Sequence, residues 1–352
     1  MPPMRFHVVG LPHTQVARDF NLCPFTENVR KFCIMMKDLR HTVFLYAGEK
    51  TDAPCDELVT CISEKERLAS LSGASYAAGS FDTNLPHWQK FNTSAGAEIR
   101  KHAQDRDFLC LIGGVAHKPI ADDLPEMMAV EFGVGYGGTF AKYRVFESYA
   151  WMHTVYGAQG GPNPNTVDGK WYDAVIPGHF EAERFPFRAD KDNYFLYVGR
   201  MIDRKGIHVA AKVCESLGVR LIIAGEGEAR PKYGEVIGAV GPEFRNELLA
   251  GARALFCPTL YIEPFGNVAV EAMLCGTPVI STDWGAFTET NIDGVTGFRC
   301  RTRAEFQFAA ANVDALDRKS IREYAVRHFS LEAAAPQYEK FFRRLSELTE
   351  SW

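Results

Sequence analysis

Short apolar runs closed by glycine recur along this chain, with stretches of helical spacing between them. Residues 5–10 (RFHVVG) read as a first buried strand, because a strand covered on both faces shows no polar alternation. Val29, Phe32, Cys33, Met36 and Leu39 then recur at helical spacing, which predicts a helix over 27–39 with Thr26 as its N-cap. Residues 42–47 give a second strand, so the chain opens β-α-β, as doubly wound domains do. The pattern weakens over 55–90, where it predicts only a helix near 63–71 and a loop at 81–84. A helix over 95–106, a strand over 108–112 and a strand-like run over 127–132 follow, with glycine-rich ends at 113–117 and 133–138. Residues 145–156 are rich in aromatics, 157–169 in Gly, Pro and Asn, and 173–177 read as a short strand.

Periodicity is lost over 178–193, a stretch with Pro186 and several acids that reads as a linker. A strand pattern restarts at 194–199. A helix over 207–217, a strand over 220–224, a turn at Gly225-Glu226-Gly227 and a strand over 236–240 come next. They lead to a helix over 246–254, a strand ending at Cys257, a helix over 267–274 and a strand over 278–281. Helices over 305–316 and 321–328 precede a long last helix over 331–348, whose apolar face is Tyr338, Phe341, Phe342, Leu345 and Leu348. This second β-α alternation predicts a second nucleotide-binding-type domain.

The candidate chemistry concentrates between residues 256 and 278. Pro258 stops a strand, a loop carries Glu263, Pro264, Phe265, Gly266 and Asn267, and a helix begins at once. A glycine at a helix start lets main-chain N–H groups approach a ligand, and the helix dipole favours negative charge or hydroxyl oxygens there. Glu271 lies among Val270, Ala272 and Met273, where an unpaired carboxylate is costly and a partner is expected. A second candidate is Gly199-Arg200-Met201-Ile202-Asp203-Arg204-Lys205-Gly206, where cations follow a strand end. Cations so placed suit an anionic group: arginine grips two phosphate oxygens, and lysine acts as a point charge.

The sequence EPFGNVAVEAMLCGTPVISTDWG resembles the signature of retaining glycosyltransferases of family GT4, with the GT-B fold. The resemblance extends over most of the C-terminal half. It implies an α/β protein of two Rossmann-like doubly wound domains facing across a cleft. The first, residues 1–180, would bind the acceptor; the second, 181–334, would bind the nucleotide sugar; a helix over 335–352 would return to the first. By the same resemblance Glu263 and the backbone of Phe265, Gly266, Asn267 and Val268 hold the donor sugar, and Glu271 holds the ribose. Arg200 and Lys205 stabilise the diphosphate, Gly199 and Gly225 lie near the nucleotide, and Val240 lies against the base. Glu226 reads equally as a surface turn residue. His117 is the expected sugar- or acceptor-facing histidine and completes a catalytic set of Arg200, Lys205, Glu263 and His117, although a structural histidine reads nearly as well there. Gly10 and His13 mark the first strand's end, where the family's usual glycine pair is missing. Ala286 stands where the family has a second glycine. Glu131 and Glu147 read either as acceptor ligands or as partners of lysines.

Composition narrows this reading. A net charge of −5 gives no general nucleic-acid footprint, and no run approaches the roughly 18 apolar residues of a membrane span. Nine cysteines without a CxxC pair, among them Cys33, Cys110 and Cys257 in apolar runs, point to reduced core thiols. A metal site at Cys55 and Cys61 lacks matching histidines, and Asp122-Asp123 reads as a Pro-flanked loop rather than a DxD site. The expectation is therefore a cytoplasmic enzyme without a secretory leader, with peripheral membrane association left open. The resemblance implies no metal and no cofactor, with a UDP- or GDP-sugar favoured as donor. The acceptor stays open among saccharide, lipid, small molecule, protein and modified DNA base, and the oligomeric state is unread. The alternatives are a sugar-nucleotide epimerase of similar fold and a non-catalytic sugar-nucleotide-binding protein.

Overall fold

The computed structural model describes residues 2–76, 79, 81–161 and 163–348. The chain divides into two compact units. One gathers Met1–Phe146, Asp168–Ile176 and Ala335–Trp352, and the other Glu147–Val167 and Pro177–Ala334.

The first unit is built on a seven-stranded parallel sheet of order β3-β2-β1-β4-β5-β6-β7. Its strands are β1 (Arg5–Val9), β2 (Thr42–Gly48), β3 (Glu57–Ile62), β4 (Phe108–Leu111), β5 (Met128–Val134), β6 (Tyr143–Phe146) and β7 (Ala174–Val175). β1 sits between β2 and β4, with Val8 opposite Leu45 on one side and Cys110 on the other. Helices α1 (Pro24–Asp38), α2 (Glu64–Leu71), α3 (Pro86–His102) and α4 (Lys118–Asp123) accompany the sheet. Phe6 is fully buried and meets Phe32 of α1, Phe108 of β4 and Phe342, which lies in the chain's last helix.

Several elements differ from the pattern reading. α1 begins at Pro24 rather than at Glu27; its N-cap is Cys23, and the Thr26 hydroxyl bonds Thr14 Oγ1 at 2.7 Å instead. Proline at the first helical position lacks only an N–H that has no helical partner anyway, so it starts helices. α3 likewise starts at Pro86, nine residues ahead of the expected 95. Asp122 and Asp123 are not in a loop; they close α4, where they pair with Lys118 and Arg100. Strand β3 is not legible in the apolar pattern because it is an edge strand with polar, partly exposed positions.

The second unit carries a six-stranded parallel sheet of order β10-β9-β8-β11-β12-β13. The strands are β8 (Phe195–Val198), β9 (Leu221–Ala224), β10 (Glu235–Gly238), β11 (Leu255–Cys257), β12 (Val279–Thr282) and β13 (Gly297–Cys300). Its helices are α5 (Tyr149–Gln159), α6 (Ile207–Leu217), α7 (Pro242–Gly251), α8 (Asn267–Leu274), α9 (Phe287–Thr290), α10 (Arg303–Asn312) and α11 (Arg318–Phe329). Alternate strand residues feed two separate cores, as a period of two requires. Leu196, Ile222, Leu255 and Val279 pack with Ala269 and Met273 of α8 and Ile321 of α11. Phe195, Ile223, Phe256 and Ile280 pack with Ile207 of α6 and Phe306 of α10. The stretch expected as a linker packs here too, with Phe180 and Phe185 in the first of these cores. α12 (Leu331–Ser346) follows and belongs to the first unit from Ala335 on.

Candidate active site

In each sheet the strand order reverses once, between β1 and β4 in the first unit and between β8 and β11 in the second. Open α/β sheets bind ligands outside the carboxyl ends of the strands at such a reversal. Gly10, Gly199, Arg200, Lys205 and Glu263 lie in the segments that follow β1, β8 and β11.

In the second unit β8 ends at Val198, and the chain turns through Gly199 and Arg200 to a single 3-10 turn at Asp203–Lys205. β11 ends at Cys257 and leads through Tyr261 and Glu263 to Gly266, the N-cap of α8. These two loops bring together groups 58 residues apart: the Lys205 ammonium donates to Glu263 Oε2 at 2.8 Å. Both side chains are largely buried, at 22% and 12% exposure. Burial opposes the lysine's charge, but the Glu263 carboxylate and Tyr261 together more than offset it, so the Lys205 pKa is raised.

Main-chain contacts fix the loop that carries Glu263. The Ser148 hydroxyl donates to the Pro264 carbonyl at 2.6 Å, and the Ala286 amide donates to the Glu263 carbonyl at 3.1 Å. Ala286 has φ −63° and ψ −17°, ordinary helical values that any residue adopts, so a second glycine is not required there. Gly266 has φ 87°, a left-handed conformation that favours glycine, and it directs the chain into α8. The Phe265 side chain is core, stacked on Phe180 and edge-on to Phe329, so this residue offers the site its backbone only. Asn267 is exposed at the start of α8, and Val268 and Val240 are half-buried against the same core.

Glu271 is 8% exposed and pairs with Arg245 at 3.3 Å, which answers the expectation of a partner. Arg245, in the first turns of α7, is not among the residues the sequence singles out; its only signal there is the need of Glu271 for a cation. Gly199 and Gly225 lie back to back, where a Cβ on Gly225 would overlap the Gly199 carbonyl. The Met201 amide donates to the Glu226 carbonyl at 2.7 Å, which laces the two turns together. Arg200 is exposed, with its carbonyl held by the Tyr197 hydroxyl at 2.9 Å. A separate pocket of about 210 Å³, lined in part by Val209, Leu260 and Trp284, contains none of the expected donor residues.

In the first unit Gly10 follows β1, and His13 and His117 lie beyond the ends of β1 and β4, each against Trp88. His117 is fully buried and its Nδ1 accepts from the Gly113 amide at 3.1 Å, so the neutral ring carries its proton on Nε2. Burial pushes its pKa down to about 3. His13 is pushed down to about 4, by burial first and then by His87 and Arg67. Glu131 is buried and accepts from the Phe140 and Ala141 amides at 2.9 and 2.8 Å, a structural role that holds the loop after β5. Glu147 falls between β6 and α5. Among the described residues no three His, Cys, Asp or Glu side chains group closely enough to hold a metal ion.

The two histidines give the protein a defined acid response. Their folded pKa values lie below the ordinary 6.5, so the native state binds fewer protons than the unfolded chain. Their full contribution is present above pH 6.5 and is lost as pH falls towards their folded values. At 1.36 kcal/mol per pH unit each should cost about 2 kcal/mol between pH 6.5 and about 5. Urea midpoints measured at pH 7 and pH 5 should show this fall, and His13→Gln/His117→Gln should reduce it.

Comparison with known proteins bears on this geometry. Residues 179–327 match the family model of glycosyl transferases group 1. The match covers most of the second unit, including Arg200, Lys205, Glu263 and Glu271. A glycogen synthase of Mycobacterium tuberculosis is 37% identical over 164 residues, 41% of this chain and 39% of that protein. The chain spans less than half the length of the first curated relatives it matches. The crystal structure of AviGT4, a glycosyltransferase involved in avilamycin A biosynthesis, superposes with a TM-score of 0.71 at 20% identity, over 99% of this chain and all of that one. Sucrose-phosphate synthase from Thermosynechococcus elongatus gives 0.64 at 18% identity, over 97% and 99%. The fold is GT-B.

Proposed function

We propose that this protein transfers a sugar from a nucleoside-diphosphate sugar to a hydroxyl acceptor, with retention at the anomeric carbon and without a metal ion. The observation that carries the reading is the Lys205–Glu263 pair, 2.8 Å apart between the loops that leave β8 and β11, beside the N-terminus of α8. Lys205 and Arg200 supply positive charge for a leaving diphosphate, and Glu263 with the amides after Gly266 offers acceptors and donors to sugar hydroxyls. Glu271, held by Arg245, offers its other oxygen to a ribose hydroxyl pair.

In this mechanism the acceptor oxygen bonds to the anomeric carbon on the face from which the diphosphate departs. The acceptor proton passes to the leaving phosphate oxygen, so the enzyme needs no base of its own. The histidine pair beyond β1 and β4 marks the first unit's ligand edge, the place for an acceptor or sugar contact by neutral imidazole.

The test is incubation with a panel of UDP-, GDP- and ADP-sugars and simple hydroxyl acceptors, following free nucleoside diphosphate and the anomeric coupling constant of the product. One donor should release its diphosphate, in EDTA as well as without it, and give a product of unchanged anomeric configuration. Tight donor binding with no release under any acceptor would favour the non-catalytic reading, and an inverted product would remove the retaining one.

A further inference from the structure

Arg204 is exposed on the loop that leaves β8, and it lies against an aromatic ring of the neighbouring loop. Its guanidinium carbon and the Lys205 ammonium each lie 5.0 Å from the centre of the same ring, that of Tyr261. The Leu260 amide donates to the Arg204 carbonyl at 2.8 Å, so the main chains of the two loops are joined at this point. The Tyr261 phenol faces both Lys205 and Glu263, while burial is the main influence on it. Two cations of adjacent residues are thus gathered on one aromatic ring, whose face attracts positive charge.

Charges at this edge do not balance. Lys205 has Glu263, and the neighbouring Asp203 pairs with His208 at 3.0 Å. Arg200 and Arg204 are exposed and have no carboxylate partner among the described residues. Holding like charges close without neutralising them costs energy in the free protein, and that cost is recovered when an anion arrives. A diphosphate brings the negative charge that this edge lacks.

We propose that Arg204 is a further diphosphate ligand and that Tyr261 is a positioning residue, whose ring holds Arg204 and Lys205 side by side for it. This rests on the donor-site reading above and adds to it a residue that touches the substrate and one that acts through its neighbours. Both cations lie over the ring, and the hydroxyl also hydrogen-bonds Lys205 and Glu263, so Tyr261→Leu removes ring and hydroxyl together while Tyr261→Phe removes the hydroxyl alone.

Calorimetric binding of UDP, GDP and ADP, each beside its own nucleoside, tests this. For the nucleotide the wild type prefers, Tyr261→Leu and Arg204→Gln should each weaken diphosphate binding about tenfold, and leave nucleoside binding unchanged, because phosphate contacts and cation–π energies are of that order. Tyr261→Phe should keep diphosphate affinity within about threefold of wild type, since the cation–π surface stays. A structural role for Tyr261 would weaken nucleoside and diphosphate together. That parallel loss, or wild-type diphosphate affinity in Tyr261→Leu or Arg204→Gln, overturns the inference while the donor site stands. If no nucleoside diphosphate binds the wild type, the donor site falls and this inference with it.

Discussion

Lys205→Ala is expected to lower the turnover of donor and acceptor by about 10²–10³-fold, the range seen when one preorganised electrostatic donor is removed from a reaction centre. The charge that develops on a departing diphosphate has to be met by groups already in place, and Lys205 is in place. It is largely buried, aimed by Glu263 at 2.8 Å and backed by the ring of Tyr261. Its raised pKa means that it is an ammonium throughout the working pH range. Lys205→Arg should not restore the rate, because a planar guanidinium does not fit the place of a compact ammonium.

The same substitution carries a stability cost that has to be separated from the catalytic one. Glu263, 12% exposed, loses its counter-ion, and an uncompensated carboxylate at that depth should cost about 1–3 kcal/mol. Lys205→Ala/Glu263→Gln removes the stranded charge, so its thermal midpoint should return most of the way to wild type while turnover stays low. Wild-type turnover in Lys205→Ala would show that the pair is structural only, and would remove the mechanism proposed for it.

The second half of the chain is the more legible for a physical reason. β8, β9 and β11 are short, largely buried and followed by glycine or proline, so each reads as an apolar run with a marked end, as at 194–199 and 220–224. Helix starts are less legible wherever proline opens them. α1, α3 and α7 each begin at a proline that the apolar spacing alone places outside the helix. β13 gives no apolar run because Gly297 opens it, close against the Val279 main chain, and Arg299 interrupts its four residues.

Among candidate site residues, those on one loop are legible and those joined by tertiary contact are not. Glu263, Gly266 and Glu271 share a single turn and helix. Arg245 meets Glu271 across 26 residues, and Tyr261 meets Arg204 across the sheet reversal between β8 and β11. No spacing rule brings such pairs together; only the strand order does. The need of Glu271 for a cation can be read from its apolar neighbours, but not which cation serves.

Gly206→Ala should damage the protein as severely as Lys205→Ala damages its chemistry, and by a different route. Gly206 follows Lys205 and opens α6 with φ 72°, a left-handed conformation that costs other residues about 1–2 kcal/mol. A Cβ at this position would also overlap the carbonyl oxygen of Pro258, in the loop that leaves β11. A Cβ and a main-chain carbonyl have no rotamer to escape into, so the 203–206 turn has to move off the 258–263 loop. That displacement is the one that parts Lys205 from both Glu263 and Tyr261. The expected loss is about 3–5 kcal/mol, at the upper end for single substitutions. For a unit of this size it corresponds to a fall in thermal midpoint of roughly 10 °C. Gly218→Ala is the control: this glycine ends α6 with φ 64°, but a methyl group there would meet nothing within 4 Å. It should lose only the conformational part, about 1–2 kcal/mol. Equal losses for the two variants would mean that the overlap with Pro258 is absorbed locally. The close approach of the two loops would then not depend on the missing side chain, and Gly206→Ala should keep the Lys205–Glu263 pair and its turnover.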